Sequence, residues 1–97
     1  MDIENDSQSQ KYKELGNQSY KKQDYTKALT YYTKAIEINS HDPNFYTNRA
    51  LCSFNLNRFE DCIKDCDRAL GINSNLTKAL KKKWQAYINL LKFDEAV

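Results

Sequence analysis

The sequence predicts an all-α chain of antiparallel helix pairs, and three observations carry that prediction. The chain aligns with itself at a shift of 34 residues. Within each unit, apolar and small residues recur three and four positions apart, the spacing of one helix face. Only two Gly and one Pro occur among 97 residues, so little of the chain is turn and most of it is helix former.

The shift puts Tyr12 on Tyr46, Tyr25 on Phe59, Ala35 on Ala69, and Ile38-Asn39-Ser40 on Ile72-Asn73-Ser74. Repeating it puts Tyr46 on Leu80, Phe59 on Phe93 and Cys62 on Ala96. The units then run from about Ser9 to Asp42, from Pro43 to Leu76, and from Thr77 to Val97, the last incomplete. Residues 1–8 form a polar lead-in.

Each element has its own justification. Tyr12, Leu15, Gly16, Ser19 and Tyr20 make one face of the first helix. Lys22-Gln23-Asp24 is a short polar link, which favours antiparallel neighbours. Tyr25, Ala28, Leu29, Tyr32, Ala35 and Ile36 make the face of the second helix. Small residues at Gly16, Ala28 and Ala35 let helix axes approach, and aromatics fill the space beside them. Asp42 is placed as an N-cap, and Pro43 stands at a first helical position that needs no N–H. The second unit repeats the scheme with Tyr46, Ala50, Phe59, Cys62, Cys66 and Ala69. In the third, Trp84 occupies the place of Gly16 and Ala50. A stack of helix pairs needs about three units and a cap. The incomplete third unit therefore reads as a piece of a longer protein, or as a self-association surface on the apolar face of the 78–91 helix.

Composition narrows the function. Fifteen Lys and Arg against 13 Asp and Glu leave a net charge of only +2, without the basic excess of a dedicated nucleic-acid binder. No apolar run approaches the roughly 18 residues that span a bilayer, so no membrane partner is expected. The acidic start MDIENDSQSQ is not a signal peptide, and three Cys are too few for a disulfide framework. A cytoplasmic or nuclear location follows as the expectation. His41 is the single His, and no phosphate loop, HExxH, GxSxG or CxxC is present. Neither catalysis, nor a cofactor, nor a metal is expected.

The period and the positions Tyr12, Leu15-Gly16, Tyr25, Ala28, Tyr32 and Ala35 resemble the tetratricopeptide repeat, over roughly residues 9–97. The resemblance implies a right-handed superhelix in which the first helix of each pair lines a concave groove. It also implies binding rather than catalysis, so the groove residues matter most.

Lys13 and Asn17 lie four apart on the first helix, Asn48 lies on the first helix of the second unit, and Lys78 and Lys82 lie four apart on the third. Ammonium and amide donors from three helices suit a ligand with two close carboxylates, such as a C-terminal Asp. This set resembles the dicarboxylate clamp of co-chaperone tetratricopeptide domains, in Lys13-Glu14-Leu15-Gly16-Asn17, in Asn48-Arg49-Ala50 and in Thr77-Lys78-Ala79. At the fifth position, often Arg in that family, Lys82 carries the charge without the planar fork. The implied partners are the Glu-Glu-Val-Asp C-terminal tails of the seventy- and ninety-kilodalton heat-shock chaperones; the alternative is a generic repeat scaffold in a multiprotein assembly, with the lysines incidental and no carboxylate tail bound.

Other residues have competing readings. Tyr20 and Phe54 either form an apolar pocket for a residue upstream of the carboxylate or pack between helices. Arg49 is expected to pair structurally rather than touch a ligand. Lys81-Lys82-Lys83 beside Trp84 reads as a solvated face rather than a nucleic-acid patch. Cys62 and Cys66, four apart, read as core rather than metal ligands.

Overall fold

The helices form where the period places them. A computed structural model describes residues 3–96, with side chains described for residues 5–92. Among the described residues there are five helices and no strand: α1 (Ile3–Lys21), α2 (Tyr25–Ile38), α3 (Pro43–Asn55), α4 (Phe59–Ile72) and α5 (Thr77–Ala96). The starts and ends of α2 and α4 are 34 residues apart, as are the starts of α3 and α5. Residues 3–8 of the polar lead-in belong to α1, which begins at Ile3, ahead of the unit boundary read at Ser9.

The turns repeat as faithfully as the helices. Gln23 N–H donates to the Tyr20 carbonyl at 2.9 Å and Asp24 N–H to the Ser19 carbonyl at 2.9 Å. One period later, Asn57 N–H donates to the Phe54 carbonyl at 3.0 Å and Arg58 N–H to the Ser53 carbonyl at 2.8 Å. Both pairs are the crossed bonds of a Schellman close, which needs a left-handed residue after the helix. Gln23 (φ 63°) and Asn57 (φ 62°) supply it. Asp24 caps α2, accepting from Lys27 N–H at 3.2 Å. Asp42 caps α3, accepting from Asn44 N–H at 2.9 Å ahead of Pro43, as the sequence predicts.

Each helix packs on the next in chain order, and α3 also touches α5. One core gathers Tyr46, Ala50, Phe59, Cys62, Cys66, Ala69, Ala79 and Ala86; a second gathers Ala28, Tyr32 and Cys52. Gly16 is a contact of necessity, because a Cβ there would stand 2.6 Å from the Tyr32 ring. All three cysteines are free and buried, and burial pushes the Cys52 thiol up to about 12. The core reading of Cys62 and Cys66 is the one the structure shows.

The third unit differs. α5 runs unbroken through residues 90–92, where the earlier units turn. Leu91 stands at the register of Gln23 and Asn57, and a Leu gains nothing in the left-handed region. Ala79 and Ala86 are buried against α4, while Leu80, Trp84, Tyr87, Ile88 and Leu91 are exposed along the other face. Trp84 is 59% exposed and tilts against Tyr87, with centroids 6.2 Å apart. Phe93 and Ala96, paired with earlier units in the sequence alignment, lie beyond the described side chains.

Candidate functional site

The first helices of the three units meet at one surface, each contributing a residue about one turn earlier in its register than the helix before. Asn17 and Tyr20 from α1, Asn48 from α3 and Lys78 from α5 surround a cavity of about 250 Å³. Lys21, Tyr32 and Leu51 complete its lining. Leu51 and Lys78 are shared with an adjoining cavity of about 290 Å³, lined further by Lys81, Lys82 and Gln85. Among the described residues no carboxylate lines either cavity.

The seven residues singled out from the sequence take different places here. Asn17, Tyr20, Asn48 and Lys78 meet around the first cavity. Lys82 lies in the second, with its Nζ 4.2 Å above the centre of the Phe54 ring, within cation–π range. Lys13 sits one turn before Asn17, half-buried and outside the lining of both cavities. Of the two aromatic candidates, Tyr20 borders the groove, its hydroxyl accepting from Asn55 Nδ2 at 3.1 Å. Phe54 packs edge-on against Phe59 at 5.3 Å, which is the interhelix reading.

Two groove side chains are held in place by neighbours. The Tyr32 hydroxyl donates to Asn17 Oδ1. The phenol is almost fully buried, and that burial raises its pKa above the ordinary tyrosine value, so it stays a donor. Tyr20 is fixed by the Asn55 bond and by an edge contact with Tyr25 at 5.2 Å.

Arg49 turns away from the groove, as the sequence reading expects. Its Nε and Nη2 each donate to Asp65 at 2.8 Å, a bidentate pair joining α3 to α4, and Nη1 donates to Thr33 Oγ1 at 3.3 Å. The Asp65 carboxylate beside it raises the Arg49 pKa, keeping the guanidinium charged. A cavity of about 240 Å³ on that side mixes Arg49, Arg58, Lys64 and Arg68 with Asp61 and Asp65. Lys83 bonds Asp67 at 2.6 Å, tying α5 to α4, so it is not part of a free lysine patch. Among the described residues no cluster of His, Cys, Asp and Glu could hold a metal, and no helix is long and apolar enough to cross a membrane.

Five lining residues were missed in the sequence, and most were within reach. Leu51 and Gln85 are Asn17 carried forward by one and two periods, and Lys81 is Lys13 carried forward by two. Lys21 is one turn beyond Asn17 on the same face. Tyr32 carries no such signal, because it comes from the second helix of its pair.

A family model for the TPR repeat matches residues 16–57, and one for the tetratricopeptide repeat matches residues 43–76. The chain belongs to the tetratricopeptide repeat family. That family's helix pairs superpose on this chain closely. The Arabidopsis OM64 TPR domain has a TM-score of 0.89 at 34% identity, covering 95% of this chain and 76% of that one. The first TPR of Spaghetti (RPAP3), bound to the HSP90 peptide SRMEEVD, has a TM-score of 0.86 at 33% identity, covering 93% and 71%. Among curated relatives, the Hsp70-Hsp90 organizing protein of Triticum aestivum is 38% identical over 89 residues, 84% of this chain. The tetratricopeptide chain spans about 15% of the length of that relative.

Proposed function

We propose that this tetratricopeptide chain is a co-chaperone adaptor module that captures the C-terminal Glu-Glu-Val-Asp tails of heat-shock chaperones. The observation that carries the reading is the joined pair of cavities, where amide and ammonium donors from α1, α3 and α5 converge with no carboxylate among the described lining residues. A C-terminal Asp brings two carboxylates a few bonds apart, and each charge-assisted bond to them contributes about 1.5–3 kcal/mol. Asn17, Asn48 and Lys78 take one carboxylate in the first cavity, and Lys82 with Lys78 takes the other in the second. Lys13 adds charge at the α1 end, and Lys21 is a further cation at the first cavity. Tyr20 gives an apolar wall for the residue before the terminal Asp. Phe54 serves by holding Lys82 rather than by contacting the tail.

The similarity to a structure holding an HSP90 peptide supports the same ligand class. The chain acts by binding, as its family does, and not by catalysis. A cytosolic location goes with this reading, since three free, buried cysteines need no oxidising compartment.

Calorimetric titration tests it. An acidic pentapeptide ending Glu-Glu-Val-Asp should bind in the micromolar range, since a short ligand must be ordered, and more weakly as salt rises. Amidating its C-terminus or substituting Lys78→Ala should weaken binding about tenfold or more. The exposed Lys21 should matter less, with Lys21→Ala weakening binding about two- to fivefold. Equal binding of the free-acid and amidated peptides would refute the clamp.

A further inference from the structure

Asn17 can serve a carboxylate in only one of its two amide orientations. A side-chain amide has one acceptor face and one face with two donors. Turned one way, Asn17 offers N–H groups to the groove; turned the other, it offers an oxygen that repels an anion. Among the described residues, the Asn17 side chain makes no hydrogen bond within α1 that would decide between them. The deciding group comes from the neighbouring helix, where the Tyr32 hydroxyl donates to Asn17 Oδ1.

We propose that Tyr32 is a positioning residue for carboxylate capture. It ties back the carbonyl end of the Asn17 amide and leaves both Asn17 N–H groups for the ligand. The inference rests on the carboxylate-tail reading above and extends it to a residue on the second helix of the pair.

Three further observations converge on this role. Tyr32 lines the same cavity as Asn17, Asn48 and Lys78, so the bond is made at the edge of the site. Its ring is fixed, being 2% exposed and seated among Ala28, Cys52, Tyr20 and Leu29. Gly16, next to Asn17 in the chain, clears the space, since any Cβ there would stand 2.6–2.9 Å from three atoms of the Tyr32 ring. The equivalent positions of the second unit are Ala50, Leu51 and Cys66, which cannot build this device. The hydrogen bond is thus particular to the unit that carries the groove asparagine on α1.

The experiment is a double-mutant cycle read by titration with the acidic pentapeptide ending in a free Asp carboxylate. Tyr32→Phe keeps the packed ring and removes only the hydroxyl. It should weaken binding about three- to tenfold, the worth of one hydrogen bond. Its thermal midpoint should change little. In an Asn17→Ala background the same Tyr32→Phe substitution should weaken binding no further, a result that a merely structural role would not produce. Wild-type affinity in Tyr32→Phe overturns the positioning role, and so does an equal penalty in both backgrounds. Failure of the unmodified chain to bind the free-acid peptide overturns the carboxylate reading and this role with it. The two failures are therefore told apart by the wild-type titration alone.

Discussion

At the register where the second helix pair has Arg49 and Asp65, the first pair has Leu15 and Tyr31. Where the first pair joins Asn17 to Tyr32 by a hydrogen bond, the second has Leu51 and Cys66. The turns of the two pairs, the ends of α1 and α3 and both bounds of α2 and α4 otherwise coincide one period apart, while α1 starts earlier than α3. Among the described residues each pair thus has one side-chain hydrogen-bonded bridge between its helices, and the bridges face opposite ways. The first lies at the groove, beside the candidate ligand donors. The second lies on the far side, in the cavity of mixed charge. The repeat specifies a backbone and a packing distance, and each copy is free to place its polar contact where stability or binding requires it.

Breaking the far-side bridge should have the largest effect. The Asp65 side chain is only 6% exposed and both its oxygens accept from Arg49. Arg49→Met leaves that buried carboxylate with only the exposed Arg68 beside it, at 3.8 Å, which costs about 3 kcal/mol, a large share of the roughly 5–15 kcal/mol that holds a small domain folded. Urea unfolding measures it. Giving the second pair the residues of the first, Arg49→Leu with Asp65→Tyr, removes both charges together and should recover more than half of the loss. A double variant no better than Arg49→Met would mean that the two units do not share this packing register.

The contact beneath the groove bridge comes next. Gly16→Ala puts a Cβ against the Tyr32 ring, which cannot swing away because it is enclosed. Overpacking of this kind costs about 1–3 kcal/mol, partly offset by the better helix propensity of Ala. The second pair solves the same problem with Ala50 against Cys66. Gly16→Ala should therefore cost less in a Tyr32→Cys background than alone, and unfolding of the four proteins measures the coupling. Strict additivity would remove the steric explanation for the glycine.

Much of this was legible in the sequence, and the illegible part has a physical cause. The repeated aromatic and small positions gave the period, and through it the boundaries at Tyr25 and Phe59 and at Pro43 and Thr77. Asp42-Pro43 marked a helix start, since capping chemistry is local. Asn17, Asn48 and Lys78 were legible as a set because they sit on equivalent helices. Lys82 was legible as a charge, but its seat above Phe54 depends on how α5 rotates against α3. Periodicity says which face of a helix is buried and not which neighbouring atoms it meets. Tyr32 shows the limit most clearly, since its ring was read correctly as core while its hydroxyl reaches the groove. The continuation of α5 through residues 90–92 was hidden for a different reason. The period predicts a turn there, but Leu90-Leu91-Lys92 contains no residue that favours a left-handed close.

The smallest expected effect separates the two turns. Gln23 and Asn57 hold the same left-handed conformation, at φ 63° and 62°, with the same crossed hydrogen bonds. An L-residue pays about 1–2 kcal/mol in that region, and Asn less than most because its short polar side chain tolerates it. Glycine has no such cost but loses more freedom on folding. The balance should favour Gln23→Gly by about 0.5–1 kcal/mol, and Asn57→Gly by half of that or less. Both residues are exposed, so neither change disturbs the core. Urea midpoints should rise in that order with the slope of the transition unchanged, which assigns the gain to stability rather than to denatured-state compactness. Equal gains at the two positions would mean that the Asn side chain contributes nothing to the second turn. A loss at Gln23 would mean that the left-handed close carries no strain there, and that the repeat tolerates Gln at this position because the conformation is set by the two crossed bonds alone.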